Sequence, residues 1–222
     1  MEIIAEIGQN HNGDLELACE LIKKAKVCGA DVAKFQLYDA KNLFPKEGNE
    51  WYEYNCKTEL SFEDVEMLDR VCKEEGIEFM ASVFDVKRIR WLEDLNVKRY
   101  KIASRSIHEE HLINAVIETG KPVLISLGMW KQESFPSYSG NISYLYCISK
   151  YPTPLKELDF SKIDFSSYAG FSDHTEGVVA PITALARGAK IIEKHFTIDK
   201  TMHGPDHSGS MTPQELTEIC NY

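Results

Sequence analysis

Lys190-Ile191-Ile192-Glu193-Lys194-His195-Phe196 is the stretch on which the fold turns. It is short, rich in β-branched and aromatic side chains, and reads as a strand. Side chains alternate across a strand with period 2, so Ile191, Glu193 and His195 share one face. Lys194 lies out of phase with them and is expected to snorkel on the outer side. Seven similar runs precede it: Ile3–Ile7, Val32–Gln36, Glu78–Val83, Tyr100–Ala103, Val123–Ser126, Ser143–Ile148 and Tyr168–Phe171. Most begin about 20–30 residues apart, the length of a strand plus a crossover helix.

The intervals carry helix signals. Asp14 can cap Leu15–Cys28, where Leu17, Leu21, Ile22 and Ala25 form an apolar stripe and Gly29 a stop. Ser61 with Asp64, Ser106 with Glu109, and Thr212 with Pro213 and Glu215 read as capping boxes. Strand and helix in alternation predict a parallel sheet, and eight units predict a closed (β/α)8 TIM barrel. Such barrels need roughly 200–250 residues, so 222 is near the minimum. The fifth crossover, Met129–Asn141, contains Pro136 and Gly140 and reads as trimmed, without a full helix. The aromatic-rich insertion from Leu37 to Leu60 reads as a segment covering a site.

With 43% apolar and 27% charged residues the chain has the balance of a globular protein, not of a disordered one. No apolar run approaches the ~20 residues of a membrane span. The start, Met1-Glu2-Ile3-Ile4-Ala5-Glu6, has no signal-like pattern, so a cytoplasmic location is expected. A net charge of −10 argues against a nucleic-acid surface. The six cysteines form no C-x-x-C pair and read as reduced packing residues.

Strands buried on both sides should be nearly all apolar, yet Glu6, Lys34, Lys101, Glu193 and His195 interrupt them. Unpartnered buried charges are costly, so these groups either neutralise one another as a structural network or bind something. Most lie towards the C-terminal ends of the strands, where barrels of this architecture place their sites. Lysines on strands two and four, with Ser82 and Ser104 nearby, suit a phosphate or carboxylate. His174 and His195, on adjacent strand ends, either are merely solvated or share one divalent cation.

In chain order, Ala5-Glu6-Ile7-Gly8-Gln9-Asn10-His11-Asn12-Gly13-Asp14, Lys34-Phe35-Gln36, Tyr100-Lys101-Ile102-Ala103-Ser104, Ser126-Leu127-Gly128-Met129, Tyr151-Pro152-Thr153, Phe171-Ser172-Asp173-His174, Glu193-Lys194-His195-Phe196-Thr197 and Gly204-Pro205-Asp206-His207 resemble the motifs of the sialic acid synthase family. That family includes N-acetylneuraminate, legionaminate and pseudaminate synthases. The resemblance implies a metal-dependent condensation of phosphoenolpyruvate with an N-acetylated aldose, an N-acetylated hexose such as N-acetylmannosamine. It places Lys34, Lys101, Ser82, Ser104 and Ser172 on phosphoenolpyruvate, with Gln36, Ser149 and Tyr151 also binding substrate. His174 and His195 fall on the ligands of Mn²⁺ or Mg²⁺. Asp206 takes an acid/base or metal-water role, Glu193 a supporting or substrate role, and Asn10, His11 and Asn12 help bind sugar or water.

The family commonly carries a glycine and an acidic residue where this chain has Arg105 and Ser106, which leaves the acceptor open. Tyr146 stands where a histidine is often found. One barrel domain is expected over 1–222, without the C-terminal antifreeze-like domain of typical members. Members are commonly dimers, so a homodimer stays open. Two further readings remain beside the synthase: a condensing enzyme for another aldose or aldose phosphate, and a catalytically weak binding or scaffold barrel.

Overall fold

A computed structural model describes residues 1–222. Eight parallel strands close into a barrel in chain order: β1 (Glu2–Gly8), β2 (Val32–Leu37), β3 (Glu78–Val83), β4 (Tyr100–Ile102), β5 (Val123–Ser126), β6 (Ile142–Cys147), β7 (Gly170–Asp173) and β8 (Ile191–His195). The helices are α1 (Leu15–Val27), α2 (Ala40–Leu43), α3 (Tyr52–Lys57), α4 (Phe62–Glu75), α5 (Val86–Asp94), α6 (Glu110–Ile117), α7 (Val179–Ala186) and α8 (Pro213–Cys220). The expected TIM barrel is therefore formed, and every expected run supplies a strand. The seventh is displaced by two residues, because Gly170–Asp173 and not Tyr168–Phe171 is hydrogen-bonded to β8.

Period 2 divides the strand residues between two environments. Outward-facing Phe35, Ile102, Ile125, Phe171 and Ile192 join the inner stripes of the helices in one continuous core. Inward-facing Ile4, Val32, Met80 and Leu124 form a small apolar layer at the N-terminal end of the barrel, packed against Ile191. One inward position further along, the lining becomes charged: Glu6, Lys34, Lys101 and Glu193, all buried. The barrel is thus plugged with hydrocarbon at one end and lined with ions at the other.

The helix ends follow their chemistry. Asp14 caps α1, and the Ser61–Asp64 and Thr212–Glu215 boxes close reciprocally at the starts of α4 and α8. The expected Ser106 box does not form. Ser106 sits in a 3-10 turn, and its hydroxyl donates to the Glu109 carboxylate, leaving Glu109 at the head of α6 without a side-chain cap. The fifth crossover has no helix, as expected. The sixth also lacks an α-helix and has only the turns Leu155–Glu157 and Phe160–Lys162, an omission the sequence pattern did not signal.

The insertion between β2 and α4 is folded. It forms α2 and α3 and buries Tyr38 and Tyr54. The Tyr38 hydroxyl meets Gln9 Nε2 at 2.6 Å and Thr58 Oγ1 at 2.8 Å. The Tyr54 hydroxyl is 2.6 Å from Asn12 Oδ1. These bonds fasten the insertion to the loop after β1, on the side of the barrel where the strands end.

Candidate active site

The C-terminal ends of the strands surround a cavity lined by Glu6, Lys34, Gln36, Ser82, Lys101, Ser104, Ser126, Cys147, Tyr151, Ser172, His174, Glu193 and His195, among others. A second cavity shares Tyr151, His174 and His195 with it and adds Asp206, Ser208 and Pro205. The two form one cleft with the histidine pair at the junction.

Its floor is an ion-pair network. Lys34 Nζ lies 2.6 Å from Glu6 Oε2, 3.4 Å from Glu193 Oε2 and 3.0 Å from Ser82 Oγ. Lys101 Nζ donates to Ser126 Oγ at 2.8 Å and lies 3.5 Å from Glu193 Oε1. Ser172 donates to Glu193 Oε1 at 2.8 Å, and Gln36 to Glu6 Oε1 at 2.8 Å. Burial works against the Glu193 carboxylate, but Lys101, Lys34 and the Ser172 hydroxyl outweigh it and hold its pKa well below the usual carboxylate range. Burial also opposes the Lys34 ammonium, and Glu193 with Glu6 reverses that and raises its pKa. Lys101 shares Glu193 but has Lys34 beside it. Burial therefore dominates there and lowers its pKa.

The histidine rings stand 5.9 Å apart, centroid to centroid. His174 Nδ1 is 2.9 Å from the Ile148 carbonyl, which only accepts, so Nδ1 carries the hydrogen and Nε2 keeps its lone pair. Burial and the neighbouring His195 push its pKa down to about 3, so the ring is neutral at physiological pH. His195 Nδ1 is buried without a hydrogen-bond partner, 3.8 Å from Asp206 Oδ2. The Tyr151 ring covers His174 at 4.0 Å. Two imidazoles facing one cleft fit a divalent cation. No group of three or more His, Cys, Asp or Glu side chains is close enough to enclose one. Only two protein donors would hold the ion, and its other positions would face water or substrate, as an open site requires.

Of the residues singled out in the sequence, Lys34, Gln36, Ser82, Lys101, Ser104, Tyr151, Ser172, His174, Glu193 and His195 line the main cavity, and Asp206 lines its extension. Ser149 stands just behind Gly128, its Oγ buried without a partner. Ser149 lines neither cavity, and the three residues of the loop after β1 are not brought there either. His11 turns outward onto Phe35, with ring centroids 6.2 Å apart, and its Nδ1 accepts from the Gly13 amide. Asn10 donates to the Phe196 carbonyl and Ser210 Oγ. Asn12 meets Tyr54 and His207. The loop after β1 is consumed in its own anchoring.

The lining also includes residues that sequence reasoning passed over. Ser126 is in phase with Leu124 at the end of β5, a period-2 signal that was present. Cys147 reads as a packing thiol, yet it lines the cavity, accepts from Ser104 Oγ at 3.4 Å and lies 3.8 Å from His174 Nδ1. Lys194 does not snorkel. It is fully buried against Asp173 at 2.7 Å, because α7 and the loop after β7 close over that part of β8.

Comparison with known proteins places the chain in a family. The family model described as NeuB matches residues 21–222. An uncharacterised protein, MJ1065, of Methanocaldococcus jannaschii is 41% identical over 99% of this chain and 68% of its own length. The N,N'-diacetyllegionaminic acid synthase of Legionella pneumophila is 37% identical over 98% of this chain and 69% of its own. Among solved structures, the N-acetylneuraminic acid (sialic acid) synthetase of Leptospira borgpetersenii, in complex with citrate, superposes with a TM-score of 0.89 at 32% identity, covering 99% of this chain and 81% of that one. By sequence and by fold, the chain belongs to the NeuB family of sialic acid synthases.

Proposed function

We infer that the chain condenses phosphoenolpyruvate with an N-acetylated aldose to give a nonulosonic acid and inorganic phosphate. The observation that carries this reading is the juxtaposition of a lysine- and serine-lined anion site with the His174–His195 pair in one cleft. Lys34 and Lys101, with Ser82, Ser104, Ser126 and Ser172, offer charge-assisted and neutral donors for the phosphate and carboxylate of phosphoenolpyruvate. Glu193 lies beside both ammonium groups, and a bound substrate would replace some of the three oxygen partners that each lysine now has. In the reaction the methylene carbon of phosphoenolpyruvate bonds to the aldehyde carbon of the sugar. Water adds at the carbon that bore the phosphate, and phosphate departs with its bridging oxygen. Asp206, 3.8 Å from His195, is placed to move a proton at the aldehyde end of the cleft.

Formal charge supports a metal requirement. Lys34 and Lys101 balance Glu6 and Glu193, so the floor by itself does not neutralise a phosphorylated carboxylate. His174 and His195 would hold Mn²⁺ or Mg²⁺, which supplies Lewis acidity towards the sugar carbonyl. The decisive measurement is phosphate release from phosphoenolpyruvate across N-acetylated hexoses, with the product weighed by mass spectrometry. Release that needs both sugar and divalent cation, and that His195→Ala abolishes in a folded protein, is the expected result. No release with any sugar in Mn²⁺ would sink the reading.

One observation favours a second acceptor class. Arg105 has no carboxylate partner and lies over the rings of Phe44 and Phe84, at 5.1 and 5.9 Å, directly after the cavity residue Ser104. A guanidinium that has only the Leu43 carbonyl as a hydrogen-bond partner, one residue beyond Ser104, suits an aldose phosphate. Under that reading, Arg105→Ala raises KM for phosphorylated sugars only.

A further inference from the structure

We propose that the buried ion pair between Asp173 and Lys194 is a positioning device that sets the spacing and orientation of His174 and His195. The role rests on reading those histidines as the pair that shares an ion. Asp173 is the residue before His174, and Lys194 the residue before His195. The two are register partners on the neighbouring strands β7 and β8. By period 2 both side chains point to the outer face of the barrel, whereas Ser172, Glu193 and His195 point into it. Both residues border the cavity, but their charges are paired with each other and not with Lys34, Lys101, Glu6 or Glu193. Its side chains are 0% and 1% exposed, and Lys194 Nζ lies 2.7 Å from Asp173 Oδ2.

The local geometry links this ammonium to His174 as well as to His195. Asp173 Oδ1 accepts the Thr175 amide at 2.9 Å, and Oδ2 accepts the Thr175 hydroxyl at 3.1 Å. His174 is therefore the apex of a turn closed by its two neighbours. Lys194 Nζ also donates to the Thr175 carbonyl, so one ammonium holds both feet of that turn. The same lysine fixes the backbone that carries His195. A buried pair of this kind adds little net stability over apolar side chains of equal size, so its value lies in the geometry it imposes. Without it, His174 would be held by four-residue β7, the Ile148 carbonyl and the backbone bond from Thr153 alone.

The test compares wild type with Asp173→Asn/Lys194→Met, which removes the strap without stranding a buried charge and keeps an acceptor for the Thr175 amide. The readouts are the imidazole ring signals of all seven histidines by NMR, Mn²⁺ affinity, and the unfolding temperature. In the double variant the His174 and His195 signals are expected to move while those of His11, His108, His111, His203 and His207 stay. Mn²⁺ affinity is expected to fall about 10- to 100-fold, the usual cost of losing a group that orients metal ligands. A merely structural pair would lower the unfolding temperature and leave the two ring signals and the Mn²⁺ affinity at wild-type values; that result overturns the proposal. If Mn²⁺ broadens neither ring in the wild type, the ion-site reading fails, and the ring positions in the variant still decide the strap. If the double variant does not fold, Lys194→Gln, measured in the same way, decides it.

Discussion

Glu193 touches Lys34, Lys101 and Ser172 at once, so one carboxylate of β8 ties together side chains of β2, β4 and β7. Charges in a β-run are visible in a sequence because they violate an expected apolar pattern. Their partners are not visible, because the carboxylate belongs to β8 and its ammonium groups to β2 and β4. The same limit explains His11, which the motif placed at the substrate and the fold buried against Phe35. That burial has a measurable consequence. Burial lowers the His11 pKa from 6.5 to about 4, against the opposing pull of Asp64 and Asp14. Above pH 6.5 the ring is neutral in both folded and unfolded chains and contributes nothing. Below it, the unfolded chain takes up a proton that the native state refuses, so stability falls until pH 4 and then levels off. The window is worth about 3 kcal/mol. Unfolding free energy measured from pH 7 to pH 4 should therefore show this slope in the wild type and lose it in His11→Asn, which keeps an acceptor for the Gly13 amide. An unchanged slope in the variant would assign the acid lability to other groups.

At the scale of elements, what the sequence made legible depended on how local each signal was. The boxes at Ser61 and Thr212 are complete within four residues and formed as expected. The Ser106 box has the right residues but follows β4 too closely, and the chain there tightens into a 3-10 turn that places Ser104 in the cavity. The fifth crossover declares its missing helix through Pro136 and Gly140. The sixth hides its own behind ordinary polar residues. The start of the fifth crossover has a steric role instead. A Cβ on Gly128 would stand 2.5 Å from Ser149 Oγ, 2.8 Å from Cys147 Sγ and 3.0 Å from Ser104 Oγ. The Gly128 amide also donates to Ser104 Oγ at 3.0 Å. Gly128→Ala should therefore push these three groups towards the cavity while the barrel stays folded. Phosphoenolpyruvate affinity measured by calorimetry is expected to fall by roughly tenfold or more, equivalent to about 1.4 kcal/mol. Affinity within twofold of wild type would show that the wall yields without narrowing the site.

Across the whole molecule the barrel has two ends with different tasks, and the repeating strand–helix rhythm made both legible. At the N-terminal end, Arg99 bridges Glu2 at 2.8 Å and Glu78 at 2.7 Å, joining the starts of β1 and β3 beneath the layer of Ile4, Val32, Met80 and Leu124. At the other end, the insertion and the loops after β1 and β8 are tied together around the cleft. What the sequence left hidden is the depth at which one regime passes into the other, because that depends on barrel closure and not on any single strand. The structure puts it between Met80 and Ser82 on β3 and between Val32 and Lys34 on β2. Substitutions on either side should separate stability from chemistry. Met80→Ala removes buried hydrocarbon and should cost about 2–5 kcal/mol of unfolding free energy, with phosphoenolpyruvate affinity and turnover per folded molecule unchanged. Lys34→Met, one layer up, leaves Glu6 and Glu193 facing each other without their shared cation. It should both destabilise the fold by about 3–5 kcal/mol and remove phosphoenolpyruvate binding. Denaturant melts paired with calorimetric titration of phosphoenolpyruvate decide the matter. A Met80→Ala protein that is folded but has lost affinity would mean that the apolar layer shapes the site, and the division between the two ends would have to be withdrawn.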